Sequence, residues 1–164
     1  MPTLGTSIPL SPDVPLPVLA DGGLLLFGTS LPDLLQGGDG DDLLVGGAGR
    51  DVMSGGAGRD TCRWERLGET GLGSARDVVK DLTLEDRLDV SRLDARPDLA
   101  GDQAFVNIGA RDVAPGAAGH VRIVALNPEN TLCLMQFETD GDGRADFEVL
   151  IHSATAIIQD VAIL

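Results

Sequence analysis

The apolar residues in the first half of this chain recur with a period of nine. Three consecutive units, GGDGDDLLV, GGAGRDVMS and GGAGRDTCR, occupy Gly37–Val45, Gly46–Ser54 and Gly55–Arg63. Each fits the pattern G-G-x-G-x-D-x-U-x, in which U is an apolar or sulfur-bearing residue. A glycine-rich turn followed by a short apolar segment predicts one short strand per unit, with the U side chain pointing inward.

Two such units form one complete turn of 18 residues, so that alternate units lie above one another. The spacing predicts that Asp42 stacks on Asp60, whereas Asp51 lies on the opposite side and needs a partner 18 residues earlier. The degraded unit GTSLPDLLQ at Gly28–Gln36 provides that partner, Asp33. The same register stacks the inward-facing residues, Leu35 on Met53 and Leu44 on Cys62. The sequence therefore predicts a solenoid with two stacked pairs of aspartates, one on each edge.

The turns between these strands carry the ligand types that calcium prefers. Glycine permits the positive φ angles that expose carbonyl oxygens, and the aspartates add carboxylates. Calcium binds about six to eight oxygen atoms in flexible geometry, and this nonapeptide is a known calcium-binding repeat of β-helices. The candidate metal-site residues within the repeats are Asp33, Gly38, Gly40, Asp42, Gly47, Gly49, Asp51, Gly56, Gly58 and Asp60. The alternative is that these Gly-Asp strings form only solvated turns, in which aspartate is common.

The apolar pattern changes after the last repeat. Trp64 is predicted to cap the open end of the solenoid, and Ser74–Asp98 mixes strand-like alternation with short turns. Within this segment we select Asp77 and Asp86 as a terminal calcium site that closes the solenoid. The alternative for these carboxylates is a solvated acidic face.

The final third of the chain is predicted to form antiparallel sheet. Alternating apolar and polar residues indicate strands at His120–Leu126, Thr131–Thr139 and Asp146–Ser153, and turn residues separate them. The second turn, residues 140–146, is similar to a fragment of a calcium loop. It lacks the twelfth-position glutamate and the flanking helices of an EF-hand, which favours a plain hairpin turn.

Composition excludes several classes of function. The net charge is −14 and there is a single lysine, Lys80, whereas binding to nucleic acid requires clustered Lys and Arg. No segment reaches the roughly 18 apolar residues of a membrane span. Because an acidic chain repels itself in the compact state unless cations screen it, we expect metal binding and folding to share one free energy.

The N-terminus and the cysteines are less informative. Residues 1–22 are proline-rich and lack the pattern of a signal peptide, which predicts a flexible leader. The alternative is a capping strand at Gly23–Phe27. Cys62 and Cys133 are expected to be packed thiols, with a bridge between them as the alternative.

The chain from Phe27 to Leu164 resembles the C-terminal RTX module of serralysin-type metalloproteases and the related R-module of alginate epimerases. The resemblance rests on the tandem units and on the segments Asp60–Trp64, Arg76–Ala95, Gly101–Phe105 and Thr139–Glu148. It implies an all-β fold, in which a parallel β-roll, a β-solenoid of GGxGxDxUx repeats, is capped by an antiparallel β-sandwich-like region. It also implies one module over residues 23–164, with repeats in 23–64 and a β cap with an export signal in 65–164.

The same resemblance implies an extracellular location. Modules of this kind bind Ca²⁺ between stacked turns and are exported unfolded by type I secretion machinery that reads the C-terminus. They then fold in calcium-rich surroundings. A secreted, extracellular protein is therefore expected.

Catalytic signatures are missing from the sequence. There is no H-E-x-x-H zinc motif and no G-x-S-x-G nucleophile motif. The predicted function is a non-catalytic calcium-binding module for secretion and folding, either standing alone or separated from an enzyme, with an attached or neighbouring catalytic domain as a candidate partner. Two alternatives remain open: an accessory module that contacts polysaccharide through Arg50, Arg59 and Arg63, and a structural or adhesive solenoid, which requires more repeats.

Overall fold

Short strands account for nearly all the regular structure of the protein. A computed structural model describes residues 18–19, 22–108, 118–153 and 162–163. Within these residues a single 3-10 turn spans Gly73–Ala75. The strands are β1 (Leu25–Phe27), β2 (Leu34–Gln36), β3 (Leu43–Val45), β4 (Val52–Ser54), β5 (Thr61–Arg63), β6 (Asp77–Leu82), β7 (Arg87–Asp89), β8 (Val106–Asn107), β9 (His120–Ala125), β10 (Leu132–Glu138), β11 (Phe147–Ser153) and β12 (Ala162–Ile163).

The tandem units form a parallel β-roll with two facing sheets. One sheet has the order β1-β3-β5-β7-β12, and the other begins β2-β4-β6. Because each unit supplies one strand, successive strands fall in opposite sheets and alternate strands pair. Leu44 lies opposite Cys62, and Leu35 lies opposite Met53. The stacking predicted from the 18-residue turn is confirmed, and the middle residue of each repeat strand is the one that faces the core.

The roll continues by one more coil beyond the tandem units. β6 pairs in parallel with β4, and β7 pairs in parallel with β5. Aspartates in neighbouring coils are 26 residues apart at this step instead of 18, because residues 64–76 make a longer connection. The prediction that Trp64 caps the open end is therefore wrong. Its ring is 1% exposed within the core, where burial of a large apolar surface is most favourable.

The antiparallel strands extend one sheet of the roll. β10 pairs antiparallel with both β9 and β11, which confirms the antiparallel region predicted for the final third. β11 then pairs in parallel with β6, so that the second sheet runs β2-β4-β6-β11-β10-β9-β8. An aromatic cluster fills this end of the core: the rings of Phe137 and Phe147 stack at 4.2 Å, and Phe105 meets Phe137 edge-on at 5.1 Å.

The structure contains an N-terminal strand and leaves both thiols free. Leu25–Phe27 forms β1, which pairs in parallel with β3 as the first strand of its sheet. Most of the predicted leader at residues 1–22, and residues 154–161 before the C-terminus, lie outside the described residues. Cys62 and Cys133 are both buried and free, and burial raises the pKa of each thiol.

Candidate metal centre

Aspartates form two ladders, one along each edge of the roll. In each ladder the backbone N–H of one aspartate donates to Oδ1 of the aspartate in the next coil. On the first edge Asp33 donates to Asp51 at 2.9 Å and Asp51 to Asp77 at 2.9 Å. On the second edge Asp42 donates to Asp60 at 2.9 Å and Asp60 to Asp86 at 2.8 Å. The structure thus brings together the pairs expected from the repeat and adds one aspartate to each.

Asp77 and Asp86 do not share a terminal site. They are nine residues apart, which is half a turn of the roll, so they end different ladders on opposite edges. The selection of these two aspartates from the sequence identified ladder members. Their combination into one closing site is not what the structure shows.

The ladder carboxylates are buried next to one another. Asp51 is 0% exposed and Asp60 is 3% exposed. Burial raises the pKa of Asp51 to about 7 and the pKa of Asp60 and Asp77 to about 6. The neighbouring carboxylates of each ladder raise these pKa values further, while backbone N–H donors oppose the shift. Stacked anions in a desolvated position need a compensating cation or a proton.

Two of these carboxylates have an oxygen with no partner. Oδ2 of Asp51 and Oδ2 of Asp60 are buried and accept no hydrogen bond from the described residues. In the other four ladder aspartates, Oδ2 accepts a hydrogen bond from Thr29, Gly38, Trp64 or Thr83. Buried polar atoms in folded proteins are paired with rare exceptions. The two orphaned oxygens are therefore the atoms at which a cation fits.

The glycine-rich loops bring carbonyl oxygens to the same edges. A Cβ atom on Gly56 would collide with the Gly38 carbonyl oxygen, and one on Gly58 would collide with that of Gly40. Gly58 also has φ of +129°, which L-residues with a side chain rarely adopt. On the opposite edge the carbonyl oxygen of Thr29 faces Gly47 in the same way. Carboxylate and carbonyl oxygens in close-packed turns are the donor set of calcium.

A further acidic group lies at the β10–β11 hairpin, and the sequence interpretation did not identify it as a group. One carboxylate oxygen from each of Glu138, Asp140 and Asp146 lies within 4.8 Å of the others. Turn amides account for much of this arrangement: Gly141 N donates to Glu138 at 2.7 Å and Thr139 N donates to Asp146 at 2.6 Å. The hairpin turn favoured from the sequence is therefore what the structure contains.

A groove of about 260 Å³ lies on the outer face of the sheet that contains β3, β5 and β7. Arg59, Arg63 and Arg87 line it beside Thr61 and Leu43. Arg59 pairs with Asp41 at 2.6 Å and Arg63 with Asp89 at 2.7 Å. The structure brings two of the three arginines singled out in the sequence to this groove.

Arg50 is not among the residues that line the groove, and Arg87 is. The reason is the alternation of units, which puts Arg50 on the opposite edge from Arg59. Arg87 was missed because it follows the 26-residue step and not the 18-residue repeat.

The comparisons with known proteins agree with this geometry. The family model of the RTX calcium-binding nonapeptide repeat matches residues 27–62 with four copies, which include the degraded first unit. The solution structure of the AlgE6R2 subunit from the Azotobacter vinelandii mannuronan C5-epimerase is 31% identical, covers 85% of this chain and 86% of that chain, and gives a TM-score of 0.55. The AlgE6R3 subunit of the same enzyme is 28% identical, with a TM-score of 0.43 and coverage of 85% and 78%. Curated proteins gave no match.

The chain belongs to the family of RTX calcium-binding repeat modules, with the β-roll of the epimerase R-module. Membership in this family implies Ca²⁺ as the bound ion. Among the described residues, no helix has the length and apolar character needed to cross a membrane.

Proposed function

We propose that this protein is a non-catalytic, secreted module whose folding is triggered by extracellular calcium. The observation that carries the proposal is the pair of buried, unpartnered carboxylate oxygens on Asp51 and Asp60, each within a ladder of stacked aspartates. Without a cation, burial of these ladders desolvates their carboxylates and brings like charges together. Both effects oppose compaction. Calcium reverses both effects, so that binding free energy becomes folding free energy.

The proposal assigns calcium to the two ladders and to the neighbouring loop carbonyls. The ligand candidates remain Asp33, Asp42, Asp51, Asp60, Asp77 and Asp86, with Gly38, Gly40, Gly47, Gly49, Gly56 and Gly58 in the intervening loops. Calcium supplies positive charge that neutralises the carboxylates when it binds. The chain's own contribution is to hold those carboxylates in register through the hydrogen bonds between backbone N–H groups and Oδ1.

A titration of the whole chain tests metal-driven folding. Far-UV circular dichroism begins in chelator and follows the addition of calcium, with a matched magnesium titration as the control. We expect a transition to β structure with calcium and a much weaker response to magnesium, which prefers stricter octahedral geometry. Identical spectra and melting temperatures with chelator and with calcium would contradict the proposal.

The proposed route out of the cell is type I secretion directed by the C-terminus, with a catalytic domain attached or encoded nearby. Its support is the resemblance to exported RTX modules together with a net charge of −14, which opposes compaction of the metal-free chain. Co-expression with a type I transporter tests it. The full chain should reach the medium, whereas a chain that lacks residues 154–164 should stay inside. Equal export of both chains would contradict this role of the C-terminus.

A second candidate is an accessory module that binds an acidic polysaccharide. It is favoured by the arginine-lined groove on β3, β5 and β7 and by the likeness to a subunit of a mannuronan C5-epimerase. Guanidinium groups recognise carboxylates through paired hydrogen bonds. Calorimetry with uronic acid oligomers should show binding that Arg63→Ala and Arg87→Ala both weaken. A neutral oligosaccharide of equal length is the control, and equal binding of the two sugars would exclude this candidate.

A further inference from the structure

The connecting loop between β5 and β6, residues 64–76, lengthens one edge of the roll only. On the first edge six residues separate Val45 from Val52, whereas fourteen separate their partners in the next coil, Arg63 and Val78. On the second edge the turns stay at six residues through the same step. The two edges therefore differ in one extended loop.

The connecting loop lies against the first ladder. Trp64 Nε1 donates to Asp77 Oδ2 at 2.8 Å, and the Glu69 carbonyl oxygen accepts the N–H of Gly49 at 3.3 Å, in the preceding turn of the same edge. Thr70 is 5% exposed, and its hydroxyl oxygen accepts the Asp77 N–H at 2.9 Å. The loop thus fixes both the side chain and the backbone of the last aspartate in this ladder.

The other side of the loop is bound to β11. Thr70 Oγ1 donates to the Glu148 carbonyl oxygen at 2.9 Å, and the Glu148 N–H donates to the Gly71 carbonyl oxygen at 3.0 Å. The Glu148 carboxylate accepts the N–H of Gly73 at 3.3 Å and Nε2 of Gln136, on β10, at 2.7 Å. The antiparallel strands therefore hold the loop through the backbone and the side chain of Glu148.

The Thr70 hydroxyl joins these two sets of contacts. Its oxygen accepts from Asp77 and its hydrogen is donated to Glu148, so both of its capacities are directed. Asp77 Oδ1 in turn accepts the N–H of Asp51 at 2.9 Å. A continuous path of hydrogen bonds runs from β11 through Thr70 to the first ladder.

The second edge has a different contact with β11. Ser153 Oγ donates to the Leu82 carbonyl oxygen at 2.8 Å, which involves neither Asp60 nor Asp86. Within the described residues, no hydrogen bond joins β9, β10 or β11 to an aspartate of the second ladder. The path through Thr70 is specific to the first edge.

We propose that the antiparallel half sets the calcium affinity of the first edge and not of the second, with Thr70 as the positioning residue through which it acts. This inference rests on the proposed function, because it presupposes that the ladders bind calcium. Docking of β11 holds Thr70, and Thr70 holds the backbone of Asp77, so the carboxylates of Asp77 and Asp51 are in register before an ion arrives. Preorganised ligands bind more tightly because less ordering remains to be done.

Two matched variants of the full chain test the role of the hydroxyl. Thr70→Val removes it with little change in volume. Thr139→Val makes the same change at a threonine that is 7% exposed and whose Oγ1 donates to Asp146 at 2.7 Å, in the β10–β11 hairpin. Both variants lose one buried hydrogen bond, but only Thr70 contacts a ladder aspartate.

Fluorescence of Trp64, the single tryptophan, reports on the first edge because its indole bonds Asp77. In calcium titrations the midpoint for Thr70→Val should move to a roughly fivefold to tenfold higher concentration, the size expected for one lost hydrogen bond that leaves a buried N–H unpaired. Thr139→Val should titrate like the wild type. Equal midpoints for the two variants would overturn the inference. A wild type that gives no response to calcium, by fluorescence or by calorimetry, would instead overturn the proposed function.

Amide hydrogen exchange compares the two edges within one molecule. The N–H groups of Asp51 and Asp60 each donate to a carboxylate of the next coil, at 2.9 Å and 2.8 Å. At a calcium concentration that just saturates the wild type, Thr70→Val should speed exchange at Asp51 and leave Asp60 unchanged. Faster exchange at both amides would indicate a general loss of stability and overturn the assignment to one edge. Thr70→Ser keeps the hydroxyl and should restore the wild-type rate, and a failed rescue would also count against this role of the hydroxyl.

A change at Glu148 tests whether the effect originates in β11. Glu148→Gln removes the charge that pairs with Arg76 at 3.3 Å and weakens the hold on the connecting loop. The fluorescence midpoint should shift in the same direction as in Thr70→Val, by a smaller factor. In the Thr70→Val background Glu148→Gln should add nothing, because residues on one path are not additive. An equal shift in both backgrounds would overturn the route through Thr70.

Discussion

The tandem-repeat coils and the antiparallel strands share one sheet but are held together by different forces. The repeat coils bury a thin line of side chains, such as Leu44 and Met53, between edges of stacked carboxylates. The antiparallel half buries an aromatic cluster around Phe137 and has no buried aspartate ladder within the described residues. Under the proposed function, stability in the first region depends on charge compensation by a metal. In the second it depends on hydrophobic burial and packing.

Removal of calcium should have the largest effect, and it should destabilise the repeat coils much more than the antiparallel strands. Each calcium site that is saturated about 100-fold above its dissociation constant contributes roughly 2.7 kcal/mol to the folded state. With chelator, hydrogen exchange should become fast in β3, β4 and β5 and remain slow in β10 and β11. Equal loss of protection in both regions would show that the antiparallel half also depends on the metal.

A cavity in the aromatic cluster should produce the opposite pattern. Phe137 is 0% exposed and stacks on Phe147. Phe137→Ala should lower the free energy of unfolding by about 3–5 kcal/mol, since it removes buried surface and leaves a void. Calcium affinity, measured by calorimetry on the folded fraction, should change little. A large loss of affinity would mean that the two regions are coupled more tightly than their contacts indicate.

A glycine substitution in the roll should affect both stability and the metal. Gly58→Ala forces a side chain into a positive φ and against the Gly40 carbonyl, at a cost of about 1–3 kcal/mol. Calcium affinity should fall as well, because the loop carbonyls move. Gly68→Ala is the matched control: its φ is +85°, but nothing lies within 4 Å of the added Cβ. This variant should lose stability and keep its calcium affinity.

The smallest expected effect is a pH dependence of the metal-free protein. The folded pKa values of Asp51, about 7, and of Asp60, about 6, lie above the ordinary value of 3.8. The native state therefore binds more protons than the unfolded state between about pH 4 and pH 7, and its stability falls as the pH rises through that window.

Melting temperatures in chelator should consequently be a few degrees higher near pH 5 than near pH 7.5. Asp41 and Asp89, whose pKa values are lowered by hydrogen bonds and arginine partners in the folded state, act in the opposite direction only below about pH 4. With calcium bound the rise toward pH 5 should vanish, because protons then compete with the ion. A higher melting temperature near pH 7.5 in chelator would contradict the burial of these carboxyl groups.

Local periodicity was enough to predict the roll, because each 18-residue turn repeats the same contacts. It paired Asp33 with Asp51 although the first unit keeps only one of the three glycines of the pattern, Gly28. It could not predict the extra coil, because the 26-residue step at Trp64 breaks the period. The junction of β11 with β6 depends on packing between segments about 70 residues apart, which no local pattern encodes.

β6 is the strand where the two regions meet, with β4 on one side and β11 on the other. An antiparallel half that is stable without metal offers β6 a ready template, and each further coil then needs only its neighbour to dock against. Under the proposed function we therefore expect assembly of the roll to start at the coil nearest β6 and to proceed toward β1. Each calcium ion that binds would then stabilise the coils that have already docked, and so disfavour their dissociation.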